Sequence, residues 1–136
     1  LSAAVEHGAF SLDGSLAYTD AKQRGSGPAA DLDGFRPSQT PAWAATATAS
    51  YRPAEGMLFA ATLRHVGKQF EDDQENGLMP AATTVDLYAQ LPLFERLSFV
   101  ARAENLFDEE VFTRNQGGSI DLGTPRTVWA GLRYGF

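Results

Sequence analysis

The sequence predicts an all-β fold, an antiparallel up-and-down meander of six or seven strands that forms part of a transmembrane β-barrel. Three observations predict it. Apolar residues recur at every second position through successive stretches, short and long connections alternate strictly, and aromatic residues gather near the strand ends. A period of two is the signature of an extended strand with one covered face. Short turns at one end and long loops at the other are the habit of membrane barrels. Aromatic rings at strand ends fit a headgroup belt, where one side of the ring is wet.

The elements follow in order. Leu1, Ala3 and Val5 read as the tail of a strand that ends at the His7–Gly8 turn. Phe10, Leu12, Gly14, Leu16 and Tyr18 then share one face of the next strand, opposite Ser11, Asp13, Ser15, Ala17 and Thr19. Trp43, Ala45, Ala47, Ala49 and Tyr51 alternate with Ala44, Thr46, Thr48, Ser50 and Arg52. After the short PAEG turn, Met57, Phe59, Ala61 and Leu63 alternate with Leu58, Ala60, Thr62 and Arg64. Val85, Leu87, Ala89 and Leu91 oppose Thr84, Asp86, Tyr88 and Gln90. A short turn around PLFER leads to Leu97, Phe99, Ala101 and Ala103, opposite Ser98, Val100, Arg102 and Glu104. The last strand sets Val128, Ala130, Leu132, Tyr134 and Phe136 against Thr127, Trp129, Gly131, Arg133 and Gly135. The long connections are roughly 20–41, 71–82 and 108–125. No amphipathic helix is expected.

Composition narrows the function. The 136 residues suffice for one ordinary domain and contain no cysteine, which excludes disulfides, zinc–thiolate sites and thiol nucleophiles. The net charge of −6 argues against nucleic acid as a partner, because binding it needs a basic stripe. No apolar run reaches the ~18 residues of a spanning helix, but strands that bury every second residue give only a weak hydropathy signal. One face of the meander is therefore expected to meet lipid. The other carries Arg52, Arg64, Asp86, Gln90, Arg102 and Arg133 and is expected to line a lumen. Six or seven strands cannot close a barrel that needs about 8, and an open edge in lipid leaves backbone groups unpaired. The start without Met, mid-strand and without a leader, reads as the C-terminal part of a longer chain.

AENLFDEEVFTRNQGGSIDLGTPRTVWAGLRYGF resembles the C-terminus of TonB-dependent outer-membrane receptors. The shared elements are Asn105-Leu106-Phe107-Asp108, a loop, Gly123, Pro125-Arg126, and the final GLRYGF strand. LRHVGKQFEDDQENGLMPAATTVDLYAQLPL and LAYTDAK…LDGFRPSQTPAW also look like this family, so the likeness covers nearly the whole chain. It implies that residues 1–136 are the C-terminal segment of a barrel of about 22 strands, with the plug and earlier strands lying outside it. It implies a Gram-negative outer-membrane location and energy-coupled uptake of a scarce nutrient, most often a ferric siderophore or similar iron chelate. The implied partners are membrane lipid, TonB through the N-terminal part, and the barrel assembly machinery. Gly131, Tyr134 and Phe136 match the terminal pattern that this machinery reads. An apolar edge strand is a good template for strand addition.

The site candidates are few. Asn105 and Asp108 flank the exit of a strand into a loop, where their side chains can take up freed backbone N–H groups. Gly123 permits a tight bend, and Pro125 stands where a strand starts. With Leu106, Phe107 and Arg126 they are read as a structural motif. Glu71, Asp72, Asp73 and Glu75 share one outer loop and are read as part of a substrate vestibule. Calcium favours clustered carboxylates, but the spacing is not that of an EF-hand, and charge runs are usually solvated, so no metal is expected. His7 and His65 have no metal-ligating neighbours in the sequence, and the glycines at 25–27 lack the lysine and helix of a phosphate loop. No nucleophile elbow appears, so neither catalytic residues nor a cofactor is expected. The competing readings are a porin-type passive channel and a soluble antiparallel β module that binds a ligand. Many Ala and Gly on the apolar face leave little bulk for a soluble core.

Overall fold

The computed structural model describes residues 1–135; Phe136, and the assembly reading attached to it, lie outside the described residues. Seven long strands form one antiparallel sheet. These are β1 (Ser2–His7), β2 (Phe10–Tyr18), β3 (Trp43–Tyr51), β4 (Leu58–Val66), β7 (Ala82–Phe94), β8 (Leu97–Glu104) and β11 (Thr127–Tyr134). They pair in chain order, β1-β2-β3-β4-β7-β8-β11, the up-and-down meander that the alternation predicts. The intervening β5 (Gln69–Phe70) pairs with β6 (Leu78–Met79), and β9 (Phe112–Gln116) pairs with β10 (Ser119–Leu122). Two of the long connections therefore contain small hairpins of their own. The third, between β2 and β3, contains a 3-10 turn at Gly27–Leu32 with Pro28 at its start, a place where the missing N–H costs nothing.

The register aligns the apolar positions across the whole sheet. Leu12 faces Ala49, Ala49 faces Ala61, and Ala61 faces Leu87. Leu87 faces Ala103, which faces Val128. Directly paired residues share a face, and a slip of one residue would turn an entire strand over. The other face gathers Asp13, Thr48, Thr62 and Asp86 in one paired row. There the Thr48 and Thr62 hydroxyls lie 3.1 Å apart.

Rings mark both ends of the apolar face. Tyr18 packs on Trp43 at 4.6 Å between centroids on the long-loop side. Phe10 stacks on Tyr51 at 4.3 Å, and Tyr51 meets Phe59 at 6.4 Å, on the short-turn side. Strand β2 is nine residues long with a ring at each end, about 27 Å of strand at ~3.4 Å per step. Tilted by ~40°, that length rises about 21 Å, most of the ~25 Å apolar band of membrane barrels.

Among the described residues the seven-stranded sheet has no second layer to pack on. Among the described residues only Met79, Ala82 and Val100 form a buried hydrophobic core, while Leu12, Leu132, Val128 and Phe94 stay exposed. A soluble sandwich would bury such residues between two sheets. The turns at the ring-stacked end are tight: Gly8 carries φ +58 between β1 and β2, as hairpin turns require. The β7–β8 turn is tighter than PLFER suggests. Strand β7 runs on to Phe94 through a register irregularity between Pro92 and Phe94, the kind of break that accommodates a proline within a sheet.

Candidate functional site

The long connections all leave the same end of the sheet, and the structure ties them down at two levels. The first is the base of the loop between β8 and β11. Asn105 follows the last residue of β8, is only 5% exposed, and has φ +49, a region that asparagine tolerates better than most residues. Its Oδ1 accepts the Glu109 N–H at 2.9 Å, while Nδ2 donates to Glu109 O at 2.9 Å and Thr124 O at 3.1 Å. One side chain therefore holds both the departing and the returning chain. Asp108, at φ +59, accepts the Arg126 N–H at 2.7 Å. The Leu106 N–H donates to Val85 O at 2.8 Å, fixing the exit against β7. Phe107 is 71% exposed. Pro125 O accepts the Thr127 hydroxyl.

Gly123 does not work as its residue type suggests. It is not among the residues with positive φ, and a Cβ there would meet Val111 at an ordinary 3.4 Å. The bend is held instead by the Gly123 N–H donating to Val111 O at 2.8 Å.

The second level is a junction of all three loops around the acidic stretch. Glu71 Oε2 accepts the Asn115 N–H at 3.0 Å from the third loop. Asp73 Oδ1 accepts the Ser38 N–H at 2.8 Å, and Glu75 Oε1 accepts the Arg36 N–H at 2.9 Å, both from the first loop. Asp72 turns inward on its own loop, accepting the N–H groups of Gln74 and Asn76 at 3.0 and 2.8 Å. The backbone donation from Asn76 is the main cause holding the Asp72 carboxyl below the ordinary aspartate range. Backbone bonds extend the junction: Gln39 N–H donates to Phe70 O, and the Glu71 N–H is shared between Asn76 O and Gly77 O. Gln23 Nε2 reaches Asp73 O, and Asn115 Nδ2 reaches Leu78 O. Gly77, at φ +62, lets the third loop approach so closely that a Cβ would run into the backbone oxygen of Asn115.

Below the loop base, the polar face carries charges of both signs. Arg64 Nη1 lies 3.8 Å from Asp86 Oδ2, and Arg102 Nη2 lies 3.0 Å from Glu104 Oε1. Asp86 Oδ1 also accepts the Asn105 N–H at 2.9 Å, linking wall to loop base. Arg64, Thr84, Asp86, Arg102, Asn105 and Thr124 line a pocket of about 310 Å³ with Val66, Val111 and Gly123. Fixed donors and acceptors of both charges suit binding of a polar solute or packing of a polar protein surface.

The sequence reading singled out the acids at 71–75 and the motif at 105–108 but not their partners. Asn115 and Gln23 lie far away in sequence, and no spacing signal points from them to Glu71 or Asp73. His7 and His65 remain on separate strands, and His65 Nδ1 lies 2.8 Å from the Thr83 hydroxyl. No group of three or more metal-ligating side chains is gathered among the described residues.

Comparison with known proteins gives consistent findings. Residues 1–106 match the family model described as TonB dependent receptor-like, beta-barrel. The metal-pseudopaline receptor CntO of Pseudomonas aeruginosa is 30% identical over 127 residues, 89% of this chain. The chain spans only 18% of that relative. Among solved structures, the siderophore receptor PiuA from Acinetobacter baumannii superposes with a TM-score of 0.81 at 15% identity, covering 93% of this chain and 19% of that one. The ferric citrate transporter FecA gives 0.77 at 23% identity, over 92% of this chain and 21% of its own. BauA, the ferric preacinetobactin receptor from Acinetobacter baumannii, gives 0.76 at 21%, over 93% and 20%. At these identities the structural likeness speaks for the fold.

Proposed function

Since this chain belongs to the TonB-dependent receptor β-barrel family, we propose that it forms the C-terminal wall and outer mouth of a transporter that takes up a scarce nutrient as a small metal chelate, foremost a ferric siderophore, across a Gram-negative outer membrane. The observation that carries this reading is a single sheet, apolar on one face between two ring belts and polar on the other, in a chain 30% identical to a metal-pseudopaline receptor. The apolar face meets lipid. The polar face, with Arg64, Asp86, Arg102 and Glu104, lines the lumen. The loop bearing Glu71, Asp72, Asp73 and Glu75, between β5 and β6, stands at the vestibule where substrate enters.

TonB supplies energy through an N-terminal plug, and the assembly machinery reads the terminal strand that contains Gly131 and Tyr134. The Asn105–Asp108 and Gly123–Arg126 motif is structural and holds the mouth's third loop at its base. Expression of the full-length protein in a metal-starved host lacking its own receptors tests the reading. Growth should be restored by a panel of metal chelates that includes ferric siderophores, and lost when TonB is deleted. Restored growth without TonB would establish a passive channel instead.

A further inference from the structure

We propose that Glu71, Asp73 and Glu75 are positioning residues that join the three outer loops into one body, so that displacing any one loop displaces all three. The inference rests on the reading that these loops meet substrate at the mouth. It adds that these acids act through the backbone of neighbouring loops.

The geometry carries it. Each of the three carboxylates accepts a backbone N–H from a different long connection than its own. A carboxylate bound to a backbone N–H is a charge-assisted bond, roughly twice as strong as a neutral pair. The acids lie close together around one turn, whose ends pair as β5 and β6. Asp72 braces that turn internally through Gln74 and Asn76, so the turn is a rigid block. Gly77 adds a close backbone approach to Asn115 that only glycine allows. Among the described residues the middle turn is what connects the first and third loops, reaching Ser38 and Arg36 on one side and Asn115 on the other.

Hydrogen exchange on the full-length protein in detergent micelles, without substrate, tests the coupling. Glu71→Ala removes only the acceptor of the Asn115 N–H. One-body behaviour predicts that exchange also rises at Arg36 and Ser38, which Glu71 does not touch, by about tenfold, the loss expected for one charged hydrogen bond. Glu75→Ala is predicted to do the reverse, speeding Asn115. Glu71→Gln keeps an acceptor oxygen at the same reach and should restore slow exchange at all three amides. A rise confined to Asn115 in Glu71→Ala, or no rescue by Glu71→Gln, overturns the proposal. If the coupling is found but full-length protein supports no chelate uptake, the transport reading falls and the loop coupling stands.

Discussion

The carboxylate of Asp108 accepts the backbone N–H of Arg126 at 2.7 Å, which joins two positions that lie 18 residues apart at the foot of one loop. Asn105 makes the parallel link to Thr124 O. Together they convert a long excursion into a loop with a closed base, so β11 starts in register with β8, Thr127 opposite Glu104. The register of β11 decides which of its residues face the apolar side. A loop-base clamp therefore bears directly on how the wall is built.

Replacing Asn105 with Ala should be among the most damaging single changes outside the strands. It strands the Glu109 N–H and two carbonyls at a buried site and leaves Ala at φ +49. Together these costs should reach about 2–4 kcal/mol. Asn105→Asp should be nearly as costly, because a carboxylate can accept from Glu109 but cannot donate to Glu109 O or Thr124 O. The denaturant midpoint of the full-length protein, refolded in micelles, measures both.

The two faces should respond oppositely to charge. Ala47→Arg places a cation on the apolar face near the middle of β3 and should cost about 2–4 kcal/mol in a bilayer. Thr48→Arg, one residue on, points to the polar face opposite Asp13. It should cost no more than the ~1 kcal/mol of the lost hydroxyl pair with Thr62. Folding equilibria in lipid vesicles compare them. Equal penalties would contradict the assignment of faces.

Gly77→Ala should loosen the junction between the second and third loops. The new Cβ has no room beside the Asn115 backbone, and φ +62 adds strain. The cost is about 1–2 kcal/mol, local to the loops. Protease cleavage between 112 and 122 should accelerate while the strands stay intact. Unchanged cleavage would show that the loops can part there without consequence.

Acid should open the 72–76 turn first. The carboxyl of Asp72 is held below its ordinary range by donation from Asn76 in the folded loop. The unfolded loop therefore binds the proton more readily than the folded one. The turn's stabilisation is full above the ordinary aspartate range and is lost as pH falls through the lowered folded value. Exchange at Gln74 and Asn76, corrected for intrinsic rates, should rise over that acidic window and stay flat above it. Asp72→Asn should remove the pH dependence.

Deletion of Phe136 from the full-length protein should slow barrel assembly and reduce the folded yield in the outer membrane several-fold. Tyr134→Ala should act in the same direction. On the proposed assembly reading this apolar strand is the template for pairing, and both residues share its alternation in the sequence. Wild-type yield from the deletion would remove the assembly reading of this strand.

Much of the fold was legible in the sequence because a strand's two faces are written into its own residues. Phe10 to Tyr18 and Val128 to Tyr134 each alternate without reference to any neighbour, and Gly8 marks a hairpin turn by itself. Short turns fix the pairing of β1 with β2, β3 with β4 and β7 with β8, and across the long loops the pairing follows the general tendency of consecutive strands to be neighbours. The small hairpins inside the long loops were missed: Gln69–Phe70 and Leu78–Met79 are too short to show a period. The acidic stretch drew attention as charge, and sequence spacing could not reveal that three of its members bind backbone N–H groups 35, 39 and 44 residues away.

Local chemistry thus determined the strands, their apolar and polar faces, the order of the meander and the Asn105–Asp108 turn. Only the tertiary structure decided which loops meet, because backbone donors such as the N–H of Asn115 are the same in every residue but proline and carry no mark of their partner in the sequence. What gives them a partner is the placement of three loop bases on one end of the sheet. That placement is set by strand register and made close enough by the absence of a side chain at Gly77.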